Sequence, residues 1–333
     1  MTMFDAKDPQ WLEQRVRERA AARRAKRLAS RTPGVVLIDA GKFGQQISDL
    51  AQTLTNKVDR EGASAFGSHP MQGDVAAILV QLRETYNLIR FVNADETRDE
   101  NHGYRMSYSF VILPLVRTMI DGFYNCTAML DDPSRVRQFR ISGLYRIRES
   151  IEADESRYGN DPQWKLYLSG ARQDHEARMR IQGFTQADLD NKANKWPLLG
   201  EYLAQKPDTP HRQMIRRMTL GFWKEYSSIS HASHDGILSI FRFIASDQAA
   251  HEIRPVIADA AERHLAVHLG RAAGVLLCLL TEIQWYCKFD GSRIDERLYE
   301  MWAAMHPVVE VRELFEYRYN RMLRHPISLT QSL

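Results

Sequence analysis

In the segment SFVILPLVRTMIDGFYNCTAML, Arg117, Asp121 and Asn125 fall at i, i+4 and i+8, which sets one polar stripe along an otherwise apolar helix. In FWKEYSSISHASHDG, Tyr226, Ser230 and His234 repeat that spacing, with His231 one step round. Polar groups buried without partners cost several kcal/mol, so each stripe must find a complement. Two matched stripes suggest two facing helices, and two readings follow. In one, they enclose a pocket: Arg117 binds an anion, Asp121 orients a histidine, and His231 or His234 works as general acid or base. Asn125, Tyr226 and Ser230 would then hold the ligand. In the other, Arg117 and Asp121 bridge on their own helix, the hydroxyls and imidazoles satisfy one another, and the network only fixes the fold.

Other chemistries find less in the chain. His231, His234 and Asp121 make a two-histidine, one-carboxylate set, but the i, i+3 spacing matches no H-E-x-x-H pattern, so no metal is expected. Ser230 has His234 one turn away without a G-x-S-x-G elbow around it. A Gly-rich phosphate loop of the Walker or dinucleotide type is missing, which disfavours ATP- and NAD-dependent chemistry and leaves no cofactor to expect.

The elements that must position these residues read as helix after helix. Phe43, Ile47, Leu50, Leu54 and Val58 repeat at threes and fours and predict a helix over 39–60, followed by a loop over 61–73. Ile78, Leu79, Leu82, Tyr86, Leu88, Ile89 and Phe91 predict a second over 74–92. A third, over 104–130, is apolar nearly all round and reads as central, with Pro114 kinking it or marking a junction. Asp132 and Pro133 punctuate the chain before a charged run to about residue 155. Thr185 with Asp188 forms a capping box for a short helix that Pro197 ends. Further helices are expected over 211–233, 237–245 and 255–289. Ser292 with Asp295 caps another, and Pro307 opens the last. The best strand pattern is residues 34–38 alone, so the expected fold is all-α: a single multi-helix bundle over 39–325, with a polar insertion at about 135–210.

Of the 333 residues, 44% are hydrophobic and 26% charged, which excludes disordered and fibrous classes. Charge is uneven. Residues 1–31 hold nine basic side chains against four acidic ones, a surplus of five in a chain whose net charge is +3, so the remainder is slightly acidic. The stretch RVRERAAARRAKR reads as a basic N-terminal helix or arm, in which Arg15, Arg19, Arg23, Arg24 and Arg27 would contact RNA phosphates, or which lies on a partner subunit. Three cysteines in apolar surroundings, without C-x-x-C spacing, argue against disulfides and for a reducing cytoplasm. No export signal and no run of 18 uncharged apolar residues is present, so no membrane is expected as a partner.

The pattern L-x-R-x-x-x-D-x-x-x-N over Leu115, Arg117, Asp121 and Asn125, followed by Asp131, Asp132 and Pro133 and then by Y-x-x-x-S-x-x-x-H, resembles an uncharacterised all-helical bacterial family, a domain of unknown function whose bundles are HEPN-like. The resemblance covers about residues 74–289. It implies a bundle that binds or cuts RNA, as a toxin or antiviral effector, and that pairs into a homo-oligomer. A metal-independent ribonuclease of that type needs R-x(4–6)-H, with the arginine at the scissile phosphate and the histidine moving the proton. Arg263, His264 and His268 spell R-H-L-A-V-H and meet it; Arg318 with His325 is a looser match. The alternative is a non-catalytic bundle holding a small anionic or nucleotide ligand or a protein partner. Phe222, Trp223, Trp285, Tyr286, Trp302 and Met305 read as core packing, and with Tyr299, Phe315, Tyr317 and Tyr319 near the C-terminus they read alternatively as a dimer face.

Overall fold

The computed structural model describes residues 42–94, 106–219, 226, 254–291, 293–306 and 308–321, all within the compact unit that begins at Ile38. Among them there is no strand. The helices are α1 (Lys42–Ala65), α2 (Gln72–Ala94), α3 (Met106–Asp131), α4 (Val136–Tyr158), α5 (Pro162–Gln182), α6 (Gln186–Asp190), α7 (Leu199–Ala204), α8 (Pro210–Met218), α9 (Arg254–Cys287), α10 (Ile294–Met305) and α11 (Val309–Tyr317). The protein is an all-α, multi-helix bundle.

The core is built by α9, which packs on α1, α2, α3, α10 and α11, while α1, α2 and α3 pack in sequence on one another. The periodic apolar residues do the packing. Ile47, Leu50, Leu54 and Val58 are fully buried along α1, as are Leu79, Leu82 and Ile89 along α2. Each is a side chain whose truncation to alanine would cost about 2–5 kcal/mol. Between α2 and α3 the helices approach closely at Gly122, where an added Cβ would stand 2.3 Å from Leu82 Cδ1. The window Val267–Cys287 of α9 is long and apolar enough to cross a membrane, and 89% of it is buried inside the bundle.

Several expectations shift in detail. The first helix runs to Ala65, one turn into the expected loop, because Phe66 buries at its end and the chain turns only at Gly67, whose φ of +60° suits glycine. Leu88 and Phe91 face outward, 45% and 69% exposed, since the buried stripe of α2 passes through Leu82, Tyr86 and Ile89 instead. Pro114 sits inside a continuous α3. The capping box at Thr185 and Asp188 forms, but its helix ends at Asp190, well before Pro197, where Asn191 caps a separate 3₁₀ turn over Lys192–Asn194. Arg293 takes the N-cap of α10; Ser292 and Pro307 lie outside the described residues, as do residues 34–38 and 237–245.

Residues 136–190 form a second, smaller core. Helices α4 and α5 pair as a hairpin, and Ile141, Leu144, Met179 and Leu189 bury together beneath Tyr145 and Phe184. His175 is buried there and its Nε2 lies 3.1 Å from the Leu144 carbonyl. The C-terminal aromatics belong to the chain's own main core. Trp302 stacks on Tyr319 and packs on Phe315, and all three are nearly inaccessible. Those three are core residues, whereas Tyr286, Tyr299 and Tyr317 are partly buried, Trp285 is 45% exposed, and Phe222 and Trp223 lie outside the described residues.

Candidate functional site

The first polar stripe resolves into two parts. Arg117 forms an ion pair with Asp121 on its own helix, the arginine mostly buried and the aspartate 45% exposed. Asn125 turns toward a loop: its Oδ1 accepts the indole N–H of Trp196 at 3.0 Å. The same loop is tied twice more, by Tyr124 Oη donating to the Pro197 carbonyl at 2.7 Å and by the Trp196 N–H donating to Ser142 Oγ at 2.6 Å. Trp196 also packs against Phe139 and Tyr124. Three hydrogen bonds and two ring contacts fix residues 196–197 against α3 and α4.

Of the second stripe, Tyr226 is described and fully buried; Ser230, His231 and His234 lie outside the described residues, as do Arg15, Arg19, Arg23, Arg24 and Arg27. Tyr226 pairs with α9. Its Oη lies 2.6 Å from His268 Nδ1 and accepts from Arg271 at 3.3 Å, with the Tyr226 and His268 rings edge to face. His268 is 0% exposed. Arg263 is on α9, with its side chain outside the described set. The looser motif divides: Arg318 points into the core, and His325 lies outside the described residues.

What the sequence reading missed is a buried charge network. Glu282, 0% exposed within α9, accepts both arms of the Arg318 guanidinium, the Nη2 bond being 2.7 Å, and the Tyr319 hydroxyl at 3.0 Å. His211, at the start of α8, stands between two carboxylates: Nε2 is 3.4 Å from Glu282 Oε2, and Nδ1 is 3.3 Å from Asp131 Oδ1. Asp131, at the end of α3, also accepts from Tyr202 Oη at 2.7 Å and lies 3.4 Å from Arg212 Nη2. Burial by itself pushes Glu282 up, but the bonds from Arg318 and His211 outweigh it and hold the carboxyl at about 2. Burial likewise pushes Asp131 up, and the bonds from His211, Tyr202 and Thr209 hold it at about 2. His211 is drawn down by burial and, more strongly, up by its two carboxylates, so its net shift is upward. Only a protonated ring can donate to both carboxylates at once. The signal was available: a single carboxylate inside LLCLLTEIQW must have a cationic partner elsewhere.

Beside this network lies a cleft of ≈ 560 Å³ between the start of α4 and the loop before α7. Arg135, Lys192 and Lys195 line it against one carboxylate, Glu201, whose Oε2 is engaged in accepting the Leu198 N–H at 2.8 Å. Neither lysine enters an ion pair among the described residues; Lys195 lies 4.9 Å from the Tyr145 ring. Arg135 is fixed: Nη2 donates to Gln205 Oε1 at 2.7 Å, Nε is 3.2 Å from Asp132 Oδ2, and the guanidinium lies over the Tyr202 ring. Gln138, bonded to the Ala193 carbonyl, and the apolar edge of Trp196, Pro197 and Leu198 complete the walls. Three cationic residues thus line one open space. No family model, curated protein or solved structure matches this chain. Its chemistry is therefore argued from the geometry. Sequence spacing gave no hint of the cleft, because Arg135 and the single turn that carries Lys192 and Lys195 lie far apart within a stretch that reads only as a polar insertion. Among the described residues no group of three or more His, Cys, Asp or Glu is placed to hold a metal ion.

Proposed function

We propose that this protein is a binding bundle for a phosphate-bearing anion, an RNA strand or a free nucleotide, and that the cleft of Arg135, Lys192 and Lys195 is where the phosphate sits. One observation carries the reading: an arginine fixed by Gln205 and Asp132, and two lysines that enter no ion pair among the described residues, line one cleft in which Glu201 is already used as a helix cap. A planar guanidinium held by Gln205 and Tyr202 is preorganised for phosphate oxygens, and the lysines supply charge without fixed geometry. The N-terminal arginines would add phosphate contacts along a longer strand. This fits a HEPN-like, cytoplasmic protein of defence type that pairs with a second copy, as the sequence resemblance implies.

A second reading, metal-independent ribonuclease, draws on the buried Tyr226, His268 and Arg271 trio, in which a hydroxyl links an imidazole to a guanidinium. Against it stands the full burial of His268, since a proton-transfer group must reach the scissile phosphate.

Fluorescence anisotropy with a labelled oligoribonucleotide tests the first reading, with ATP and pyrophosphate as competitors. Binding that weakens at least tenfold in Lys192→Glu/Lys195→Glu supports the cleft, and the competitor that displaces the strand tells nucleotide from polymer. Wild-type binding that this variant leaves unchanged sends the phosphate elsewhere. The same RNA incubated with and without EDTA, in wild type and His268→Ala, tests cleavage.

A further inference from the structure

The wall of the cleft and the buried charge network share their residues. Tyr202 lies between two guanidiniums, Arg135 on the cleft side at 5.6 Å from the ring centre and Arg212 on the network side at 5.0 Å. Gln205 is likewise held from both sides: its Oε1 accepts from Arg135 at 2.7 Å, and its carbonyl accepts from Arg212 at 3.2 Å. Arg212 and the Tyr202 hydroxyl both converge on Asp131, and Asp131 meets His211. A continuous path of contacts thus runs from His211 through Asp131, then Tyr202 and Arg212, then Gln205, to the arginine of the cleft.

The two carboxylates that His211 bridges are not equally secured. Glu282 keeps the Arg318 fork and the Tyr319 hydroxyl whatever the imidazole does. Among the described residues, the cations at Asp131 are His211 at 3.3 Å and Arg212 at 3.4 Å, both on α8. Only the imidazolium donates at both nitrogens; the neutral ring must present a lone pair to one carboxylate, and the repulsion falls on the less secured one.

We propose that the imidazolium of His211 is the lock that holds residues 198–205 as the cleft wall, so that phosphate binding at Arg135 weakens when His211 gives up its proton. This rests on the cleft reading above and adds its regulation. His211 faces Asp131 from α3 and Glu282 from α9 and feels the charge of Arg318 after α11; around those partners stand Tyr202 from α7, Arg212 from α8, Cys278 from α9 and Tyr319 after α11. Burial pushes the Tyr202, Tyr319 and Cys278 protons up, so those three stay neutral. With both carboxylates held near 2, His211 is the member of the network left to change its charge as pH rises, at a value its two carboxylates raise above the ordinary histidine range. The sign follows: the lock is closed below the ordinary histidine range and opens as pH rises above it.

The test is anisotropy of a short labelled oligoadenylate, whose phosphodiesters keep their charge, at fixed ionic strength from about pH 6 to about pH 9. The wild-type Kd should rise about tenfold over that range, the worth of one charge-assisted contact at Arg135. Gln205→Ala removes the Gln205 arm of the path, leaving the network whole and the Tyr202 ring contact with Arg135 in place: its binding should be weaker at low pH and its pH step clearly smaller than in wild type, while its melting temperature still falls with alkalinity. His211→Gln should be flat with pH, and if that variant does not fold, Gln205→Ala decides alone. A wild-type Kd that is constant with pH, or a pH step of equal size in Gln205→Ala, overturns the lock and leaves the cleft standing. Absence of binding at every pH overturns the cleft reading itself, and the lock with it.

Discussion

Replacing Arg318 by methionine would leave Glu282 as a fully buried carboxylate without its guanidinium. Methionine keeps most of the apolar bulk of the side chain, so the loss is electrostatic rather than a cavity. Breaking one side of a buried pair costs about 3–5 kcal/mol. The remaining partners, Tyr319 at 3.0 Å and His211 at 3.4 Å, are weaker and keep the cost within that range. With an unfolding entropy of about 2 cal/mol/K per residue, each kcal/mol in a chain of this length lowers Tm by about 1.5 °C, which gives a fall of about 4–7 °C. The assay is thermal melting by circular dichroism at neutral pH for Arg318→Met, Glu282→Gln and the double variant. Glu282→Gln strands the arginine and is also destabilising, whereas the double variant removes both charges and should be more stable than the sum of the single losses predicts, by about 1–3 kcal/mol. Two single variants that melt within about 1 °C of wild type, or losses that simply add, would refute the claim that this pair is a coupled buried charge.

The carboxylates set the acid limit: Asp131 and Glu282 have folded values of about 2, below their ordinary range, so their contribution is complete above about pH 5 and lost as pH falls toward 2, which acid-titrated melts will show. His211 has the opposite sign, because its folded value is raised; its contribution is whole below about pH 6 and lost as pH rises through the folded value, and the alkaline decline in Tm should vanish in His211→Gln. Asn125→Ala leaves the Trp196 indole N–H without its acceptor and should cost about 1–3 kcal/mol in chemical denaturation, with weaker oligonucleotide binding because the cleft loop loosens. Gly122→Ala places a Cβ 2.3 Å from Leu82 Cδ1 and should destabilise by about 1–3 kcal/mol, a loss that Leu82→Ala in the same chain does not add to in full.

The helical architecture was legible because its signal is repetitive. Phe43 through Val58 state a helix and its buried face five times over, and the structure buries every one of those residues. The capping box at Thr185 was equally readable, since both partners are four residues or fewer apart. The stripe on α3 was legible as a feature and only half so in its role: Arg117 and Asp121 do pair on their own helix, but nothing local shows that Asn125 meets a tryptophan 71 residues later. Long-range polar contacts were the least visible. Asp131, His211, Glu282 and Arg318 come from four different elements, each with an unremarkable neighbourhood, and only the lone carboxylate in the apolar stretch of α9 announces that a partner must exist. The cleft was illegible for a related reason: Lys192 and Lys195 belong to a 3₁₀ turn whose direction depends on the Trp196 anchor, and a turn that follows tertiary contacts leaves no periodic trace in sequence.

The most direct test of the phosphate-binding cleft is hydrogen–deuterium exchange of the full chain, with and without a saturating oligoribonucleotide. Protection concentrated in residues 192–205, and absent from that segment in Lys192→Glu/Lys195→Glu, is the result expected. A bound strand that leaves 192–205 unprotected and slows exchange elsewhere would contradict it.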